Sequence, residues 1–562
     1  MGVQNPDFDV CVIGSGAGGG PVALRLAQAG YDVLVLEKGP WLKEEHFKKD
    51  EMACCRHSIF TPNLQDEQHV IEQKYQDEWL SEPSSQSGWS FWNGNMVGGS
   101  SNLMSGYFYR LKPEDFRLKS EFGAIDGANV VDWPISYDEL EPYYTMVESE
   151  VGVSGEVQQH KFSEPRSSKN YYQEPTAEHP IVDRIDSACE ELGYQALKTP
   201  RAILSRSDKG RRSCEYSGFC GSYGCASGAK GSSRAALLDR AVATGKCQIR
   251  ADSQVSRLIS DSSGKVIAAE YFDLQDRPQQ VTAKIFVVAC QAVETSRLLL
   301  NSVGEKHPNG LANNHGQVGK NLLFSAGGAG SGDLPYEMMN VESARLLQTR
   351  GPFVNRNLQD WYFIDDLEFA DKPAKGGTID FLLRHPNVLS QAISQKWDDN
   401  GKLIWGDALQ QKIKSAIGGQ QTLNFEVFND WLPTDNCFVS LDSQVKDRWQ
   451  QPVAKLRLGY HEHDLKVGRY LSRKAESVLQ QMGAKNISWS VSGSPPSNLM
   501  AGGCRFGTDI ETSVLDTECR AHDCENLYVT DGSFMPTGGS VTYTWTIYAN
   551  AFRVADKIIE AL

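Results

Sequence analysis

The sequence predicts an α/β protein: a Rossmann-like dinucleotide-binding domain joined to a discontinuous α+β lobe. Three observations predict it. The stretch FDVCVIGSGAGGGPVALRLAQAGYDVLVLEKGP reads as strand, glycine turn, amphipathic helix and second strand, which together make one βαβ unit. Two later stretches, AKIFVVACQAVETSRLLLNS and ENLYVTDGSFMPTGGSVTYTWTIYANAFRVADKIIEAL, repeat a buried strand running into a helix. Between them, after residue 320, the pattern turns irregular and aromatic, with Trp361, Trp397, Trp405, Trp431 and Trp449, and reads as a separate lobe.

Taken in order, the first unit carries G-x-G-x-x-G at Gly14, Gly16 and Gly19, with Glu37 closing the second strand. Such glycines let the backbone approach a pyrophosphate, the helix N-terminus stabilises its charge, and the carboxylate accepts from a ribose hydroxyl. The segment QSGWSFWNGNMVGGSSNLMSGYFYR crowds glycines and small polar residues into a loop able to lie along an extended cofactor. WPISYDELEPYYTMVESEVGVSG predicts a helix with a Pro-initiated start and a boundary near residue 155. KCQIRADSQVSRLISDSSGKVIAAEYFD then returns to strands. The final helix should rejoin the first domain, placing Asp531 beside cofactor. The expected organisation is a cofactor domain at residues 1–155, 241–320 and 496–562, a cysteine-rich connecting region at 156–240, and a substrate lobe at 321–495.

At 562 residues the chain is too long for one ordinary core. Its formal charge of −15 and lack of any Lys/Arg cluster argue against nucleic acid or an anionic membrane as partner. Its apolar runs fall short of the roughly twenty residues a membrane-spanning helix needs. No secretory leader or myristoylation pattern opens it, so the expected location is the cytoplasm.

The 13 cysteines are an odd number and mostly scattered, which argues against a disulfide framework. Cys214, Cys220 and Cys225 are the exception, spaced C-x5-C-x4-C within a glycine-rich loop. Three thiolates so placed can each take one iron of an iron–sulfur cluster. The alternatives are buried small thiols or zinc, which would want a fourth ligand.

The G-x-G-x-x-G with Glu37, the NGNMVGGSSN loop, WPISYDELEPYY, VVACQAVETSRLLLNS and NLYVTDGSFMPTGG lie in an order that resembles the glucose-methanol-choline (GMC) oxidoreductases. Within that family the chain is most similar to large subunits of the gluconate 2-dehydrogenase and fructose dehydrogenase type. The resemblance implies FAD, held by Gly14, Gly16, Gly19 and Glu37 at its ADP end. It further implies contacts from Gly98, Gly99, Ser100 and Asn102, from Asp531 and Gly532 near the ribityl chain, and from Val255 at adenine. In the dehydrogenase subgroup a three-cysteine loop holds a 3Fe-4S cluster that passes electrons toward a haem partner, and a small subunit can carry the large one across the membrane, so periplasmic export with a partner is implied as well.

The resemblance also exposes a departure. The segment SNLMAGGCRFGTD matches the family pattern H-x-x-G-T-x-R-x-G, whose histidine takes the substrate hydroxyl proton, a contribution of about 10² to 10⁴-fold. Here Leu499 stands at the histidine position, or Asn498 if one residue is inserted. The second polar partner, His or Asn in the family, is replaced by Thr542 or Tyr543. The expectation is a flavin-dependent dehydrogenase of a sugar, polyol or other alcohol, the alternative a flavoprotein of this fold turned to lyase, decarboxylase or biosynthetic chemistry. His461, His463 and His522 read as capping or structural residues, and Arg505 as either an anion partner or loop packing. Trp89, Trp92, Tyr107 and Trp361 are candidates to stack on substrate.

Overall fold

The structure is a computed structural model, and it describes residues 6–54, 68–87, 89, 93–325, 327–367, 369–370, 373–384, 387–398 and 400–562. Its centre is a five-stranded sheet in the order Leu527–Val529, Ala283–Val288, Phe8–Ile13, Val33–Leu36, Cys247–Arg250, with every neighbouring pair parallel. These strands read as unbroken apolar runs because both faces are covered; Val10, Cys11, Val12, Val287 and Val288 are fully buried. The helix Gly19–Gln28 packs beside the C-terminal helix Thr544–Ala561, and Arg25 Nε donates to Asp556 at 2.6 Å. The two ends of the chain thus build one domain, as the reading of the last segment anticipates.

Gly14 makes the first turn possible. Its φ is +94°, and a Cβ there would stand 2.3 Å from the Ala289 carbonyl oxygen. The helix Tyr137–Val147 starts one residue after Ser136, not at Pro134: Ser136 and Glu139 form a reciprocal cap, with Ser136 N donating to Glu139 at 2.8 Å. Arg110 then clamps that helix by donating to Glu141 at 2.8 Å and Glu148 at 2.6 Å.

The segment after residue 320 is regular, contrary to the irregular pattern of its sequence. It forms most of a six-stranded sheet in the order Lys485–Ser490, Gly328–Pro335, Gln420–Asn429, Gly377–Leu383, Phe353–Leu358, Ala196–Lys198. Leu423, Phe425, Val427, Ile379, Phe381 and Leu383 face a core shared with the helix Glu462–Gln481. The intervening residues of the same strands roof the central cavity, so neither face shows polar alternation. Glycines obscure the pattern further: Gly330 has no side chain because a Cβ would meet the Phe425 ring at 2.5 Å. A four-stranded sheet, Phe438–Lys446, Pro452–Leu458, Val70–Tyr75, Glu78–Pro83, ties residues 70–83 to this lobe.

Gly14→Ala is expected to destabilise by ~2 kcal/mol or more, through strain at positive φ plus collision with the Ala289 carbonyl. Gly30→Ala is the control: φ is +96° but nothing lies within 4 Å of its Cβ, so only ~1 kcal/mol of backbone strain applies. Thermal melts of the two variants should separate clearly; equal shifts would refute this account of the turn.

Candidate active site and cofactor cleft

One cavity of about 410 Å³ runs from the first glycine turn to the six-stranded sheet. At its narrow end the backbones of Gly16 and Gly99 face each other. A Cβ on Gly99 would stand 3.0 Å from Gly16 Cα, and one on Gly18 would stand 2.7 Å from Asp531 N. Any side chain here would fill the slot. The helix Gly19–Gln28 begins at this slot with no acidic residue in its first turn, leaving its N-terminal partial charge free for an anion. The residues present therefore fit a pyrophosphate-bearing dinucleotide.

Glu37 sits at the next bend. Its Oε2 accepts from Ser15 N at 3.1 Å and Ser15 Oγ at 2.5 Å, and its Oε1 from Gly39 N at 3.0 Å. Burial pushes its carboxyl above the usual range. Ser15 Oγ also accepts from Gly98 N at 2.9 Å, so one hydroxyl couples the first turn to the second glycine loop. Ser15 escaped the sequence reading because it is an unmarked position inside the glycine motif.

Of the other anticipated cofactor residues, Gly14, Gly16, Gly99, Ser100, Val255, Asp531 and Gly532 lie on the cavity wall. Gly19, Gly98 and Asn102 stand behind it and shape it. A Cβ on Gly19 would meet Gly14 O at 2.0 Å, and one on Gly98 the Arg234 Cβ at 2.7 Å. The Asn102 amide donates to Val97 O at 3.0 Å and Gly99 O at 3.1 Å. Asp531 is fully engaged: Oδ2 accepts from Gln291 N at 3.0 Å and Thr295 Oγ1 at 2.5 Å, and Oδ1 from Ser533 N at 2.8 Å and Ser533 Oγ at 2.5 Å.

A network missed by sequence reading lines the nucleotide end of the same cavity, beside Lys38. Glu294, Arg297 and Asp447 line the cavity; Arg297 donates to Asp447 at 2.5 Å and to Glu294 at 3.2 Å, and His69 Nε2 lies 2.7 Å from Glu294. Burial works against the charge on Glu294, but Arg297 and His69 outweigh it and hold the carboxyl far below its usual range. Four residues separated by up to 378 positions leave no local signal.

The wide end is a chamber walled by Tyr107, Phe353, Leu382, Glu426, Phe428, Leu499 and Tyr543, with Asn498 and Thr542 at its edge. All four positions proposed to face the reactive end therefore meet there. None is a proton acceptor. Leu499 adopts φ +51°, its carbonyl accepts from the Tyr543 hydroxyl, and the Thr542 hydroxyl donates to Tyr107 O at 2.9 Å. Burial, with Asp430 nearby, pushes the Tyr543 phenol well above its ordinary range. Among the described residues on the cavity wall there is no histidine.

Other expectations resolve as follows. Arg505 donates to Thr512 O at 2.7 Å and Asn129 O at 3.2 Å, so it packs the loop. His461 caps its helix by accepting from His463 N at 3.1 Å, and His522 lies 3.0 Å from Ser513 Oγ. Trp89 is core, donating to Pro495 O at 2.7 Å, and Trp361 packs on Tyr194 away from the chamber; Trp92 lies outside the described residues. Among the described members of that aromatic set, Tyr107 lines the cavity and the others do not.

The cysteine loop, expected to hold an iron–sulfur cluster through Cys214, Cys220 and Cys225, gains no support for that role. Among the described residues, no three His, Cys, Asp or Glu side chains are drawn together as a metal-ligating group. Cys214 Sγ instead accepts from Tyr216 N at 3.4 Å, and Cys225 Sγ from Lys230 N at 3.4 Å. Lys230, 1% exposed, donates its ammonium to Asn102 O at 3.0 Å, and its charge faces all three thiols. Burial raises the Cys225 thiol, but Lys230 together with hydrogen bonds from Ser227 and the Lys230 backbone brings the group below its ordinary range.

Behind the chamber, burial raises Asp380 to about 7; Tyr109, donating at 2.6 Å, opposes the shift and Glu426 adds to it. The unfolded carboxyl ionises near 4, so the folded chain holds one extra proton between about 4 and 7. That contribution to stability is complete at the acid end and is lost as pH rises toward 7. Asp380→Asn should therefore gain on the wild type across this window, by roughly 1.4 kcal/mol for each step of one in pH, in denaturant titrations at stepped pH. A difference that stays flat with pH would refute the assignment.

Comparison with known proteins agrees with this geometry. GMC oxidoreductase family models match residues 53–325 and 433–551. The chain is 30% identical to a 2-methyl-1,2-propanediol dehydrogenase of Mycolicibacterium austroafricanum, over 98% of this chain and 95% of that protein. It is 26% identical to a fructose dehydrogenase large subunit of Gluconobacter japonicus, over 100% and 99% of the two. A solved formate oxidase variant of Aspergillus oryzae, studied for its FAD modification, shares the fold with a TM-score of 0.61 at 16% identity, covering 99% of this chain and 98% of that one. A glycine slot for a dinucleotide, a chamber beside it and these likenesses have one joint reading: the chain belongs to the GMC oxidoreductase family and is an FAD-dependent oxidoreductase.

Proposed function

We propose that this protein oxidises a CH–OH group of a sugar, polyol or related alcohol. The observation that carries the reading is the continuity of the cavity: the glycine slot opens directly into a chamber of aromatic and apolar walls large enough to hold a small substrate. Bound FAD supplies a two-electron acceptor at the junction. The protein's own part is to hold and orient. Ser15 and Glu37 fix the nucleotide end, and Asp531 sets the turn at Gln291 and the Gly532 loop. Tyr107 and Phe353 offer ring faces to the substrate, and the Tyr543 hydroxyl on Leu499 O ties two segments of the chamber wall together. The names of the relatives, a diol dehydrogenase and a fructose dehydrogenase subunit, support the substrate class.

With no imidazole among the described residues of the wall, the reaction runs without the histidine of the family pattern, whose general-base contribution is about 10² to 10⁴-fold. Electrons then leave to a separate acceptor protein, a reading supported by the relative named as a large subunit. The cysteine loop is given no part in that transfer.

Leu499→His tests the proposal. Histidine tolerates the positive φ at this position better than most residues, and it should raise the anaerobic rate of flavin reduction by an alcohol about tenfold or more. It should also add an inflection near the ordinary histidine pKa to a profile that otherwise climbs with pH. Flavin that stays oxidised with every alcohol, in the wild type and the variant alike, sinks the reading.

A further inference from the structure

Glu426 reaches the chamber wall from the strand Gln420–Asn429, with Phe428 on its own strand and Leu382 on the next. Tyr107 and Phe353 stand beside it as an edge-to-face pair with ring centres 5.6 Å apart. Among the described residues no hydrogen bond or ion pair reaches its carboxylate, and burial alone raises its proton affinity. The guanidinium of Arg201, which stacks over Tyr107 and Phe353, is already committed to Ser105 O and Asn355 Oδ1.

A second acid stands directly across the sheet. Asp380 pairs in register with Glu426 on the same face, has 0% exposure, and its Oδ2 has no partner among the described residues. Like charges opposite each other across two strands oppose pairing, and a carboxylate withdrawn from water without a partner is unfavourable. Among the described residues, the only lysine and arginine on the cavity wall, Lys38 and Arg297, belong to the nucleotide end, beside Glu37 and Glu294. The chamber thus presents one acid, Glu426, that no partner reaches among the described residues, backed across the sheet by Asp380, whose Oδ1 accepts from Tyr109 at 2.6 Å and Thr199 at 3.2 Å while its Oδ2 stays unpartnered.

We propose that Glu426, backed by Asp380, receives the protonated amino group of the substrate, so that the alcohol oxidised is an amino alcohol or amino sugar. The inference rests on the oxidation reading above only for the word "oxidised"; recognition of the cation is a property of the pocket itself. Glu426 is then a specificity determinant, and its acidity is matched when an ammonium, and not a neutral hydroxyl, fills the site.

The test uses flavin-loaded protein reduced with dithionite, which binds ligands without turnover, and calorimetry with matched pairs: ethanolamine against ethylene glycol, serinol against glycerol, glucosamine against glucose. At least one amine should bind roughly tenfold tighter than its neutral counterpart, and Glu426→Gln, which keeps volume, should abolish the preference while retaining flavin. No preference in the wild type, or one that survives Glu426→Gln, overturns the proposal; if the variant does not fold, the wild-type pairs decide alone. Flavin bleaching of the oxidised protein by the same compounds separates the two readings. An amine that binds through Glu426 without bleaching leaves recognition standing and defeats oxidation. Neutral polyols that bleach as fast as amines, and are slowed equally by Glu426→Gln, make that residue a proton acceptor and defeat recognition.

Discussion

The Asp531 carboxylate is the interaction on which the rest of this structure depends. It gathers four donors from two segments about 240 residues apart in the chain, Gln291 and Thr295 on one side and Ser533 on the other. These bonds fix the turn after the strand Ala283–Val288, where Gln291 is held at φ +78°, and they set the loop that leads into the C-terminal helix. Charge-assisted hydrogen bonds are the strong ones, and a buried carboxylate stripped of even one partner is left with an unmet desolvation penalty of ~1–3 kcal/mol. The Gly18 slot, the edge strand Leu527–Val529 and the Tyr543 tie to Leu499 all follow from where this carboxylate holds the chain.

The second organising constraint is a sheet asked to serve two environments. The six-stranded sheet gives Phe425, Phe381 and their alternates to a hydrophobic core, where each fully buried large side chain contributes about 1.5–3 kcal/mol. The opposite face carries Glu426, Phe428 and Leu382 over the cavity, with Asp380 behind them. The core face supplies the rigidity that allows the cavity face to hold Glu426 with no partner among the described residues. Cavity lining and core packing are therefore written on alternating residues of the same strands.

That division also explains what could be read from the sequence. The first βαβ unit and the two later strand–helix segments were legible because parallel strands buried on both faces appear as plain apolar runs ending in glycine turns. The departure at Leu499 and Thr542 was legible because it lies inside a motif of fixed spacing. The substrate sheet was not: TIDFLL and QTLNFEVFN do alternate, but with aromatic and acidic residues on the second face in place of the polar set that marks a solvent-facing strand. The cysteine loop is a different case, in which spacing alone does not decide the role. Its spacing suits an iron–sulfur ligand set, but Lys230, close by in the sequence, places its buried ammonium toward the thiols, and no spacing rule weighs that charge.

The pairing of the first and last helices, with the edge strand Leu527–Val529 completing the central sheet, has a consequence for biosynthesis. While the chain is still emerging from the ribosome, the Gly14 turn is made early, yet the slot it faces has no Asp531 wall and the chamber no Tyr543. The cofactor's resting place comes into being only with the last turns of polypeptide. Nucleotide capture is thus a late event of maturation, and a chain interrupted before residue 531 would carry the recognisable fingerprint of a flavoprotein while lacking the wall that completes its cradle.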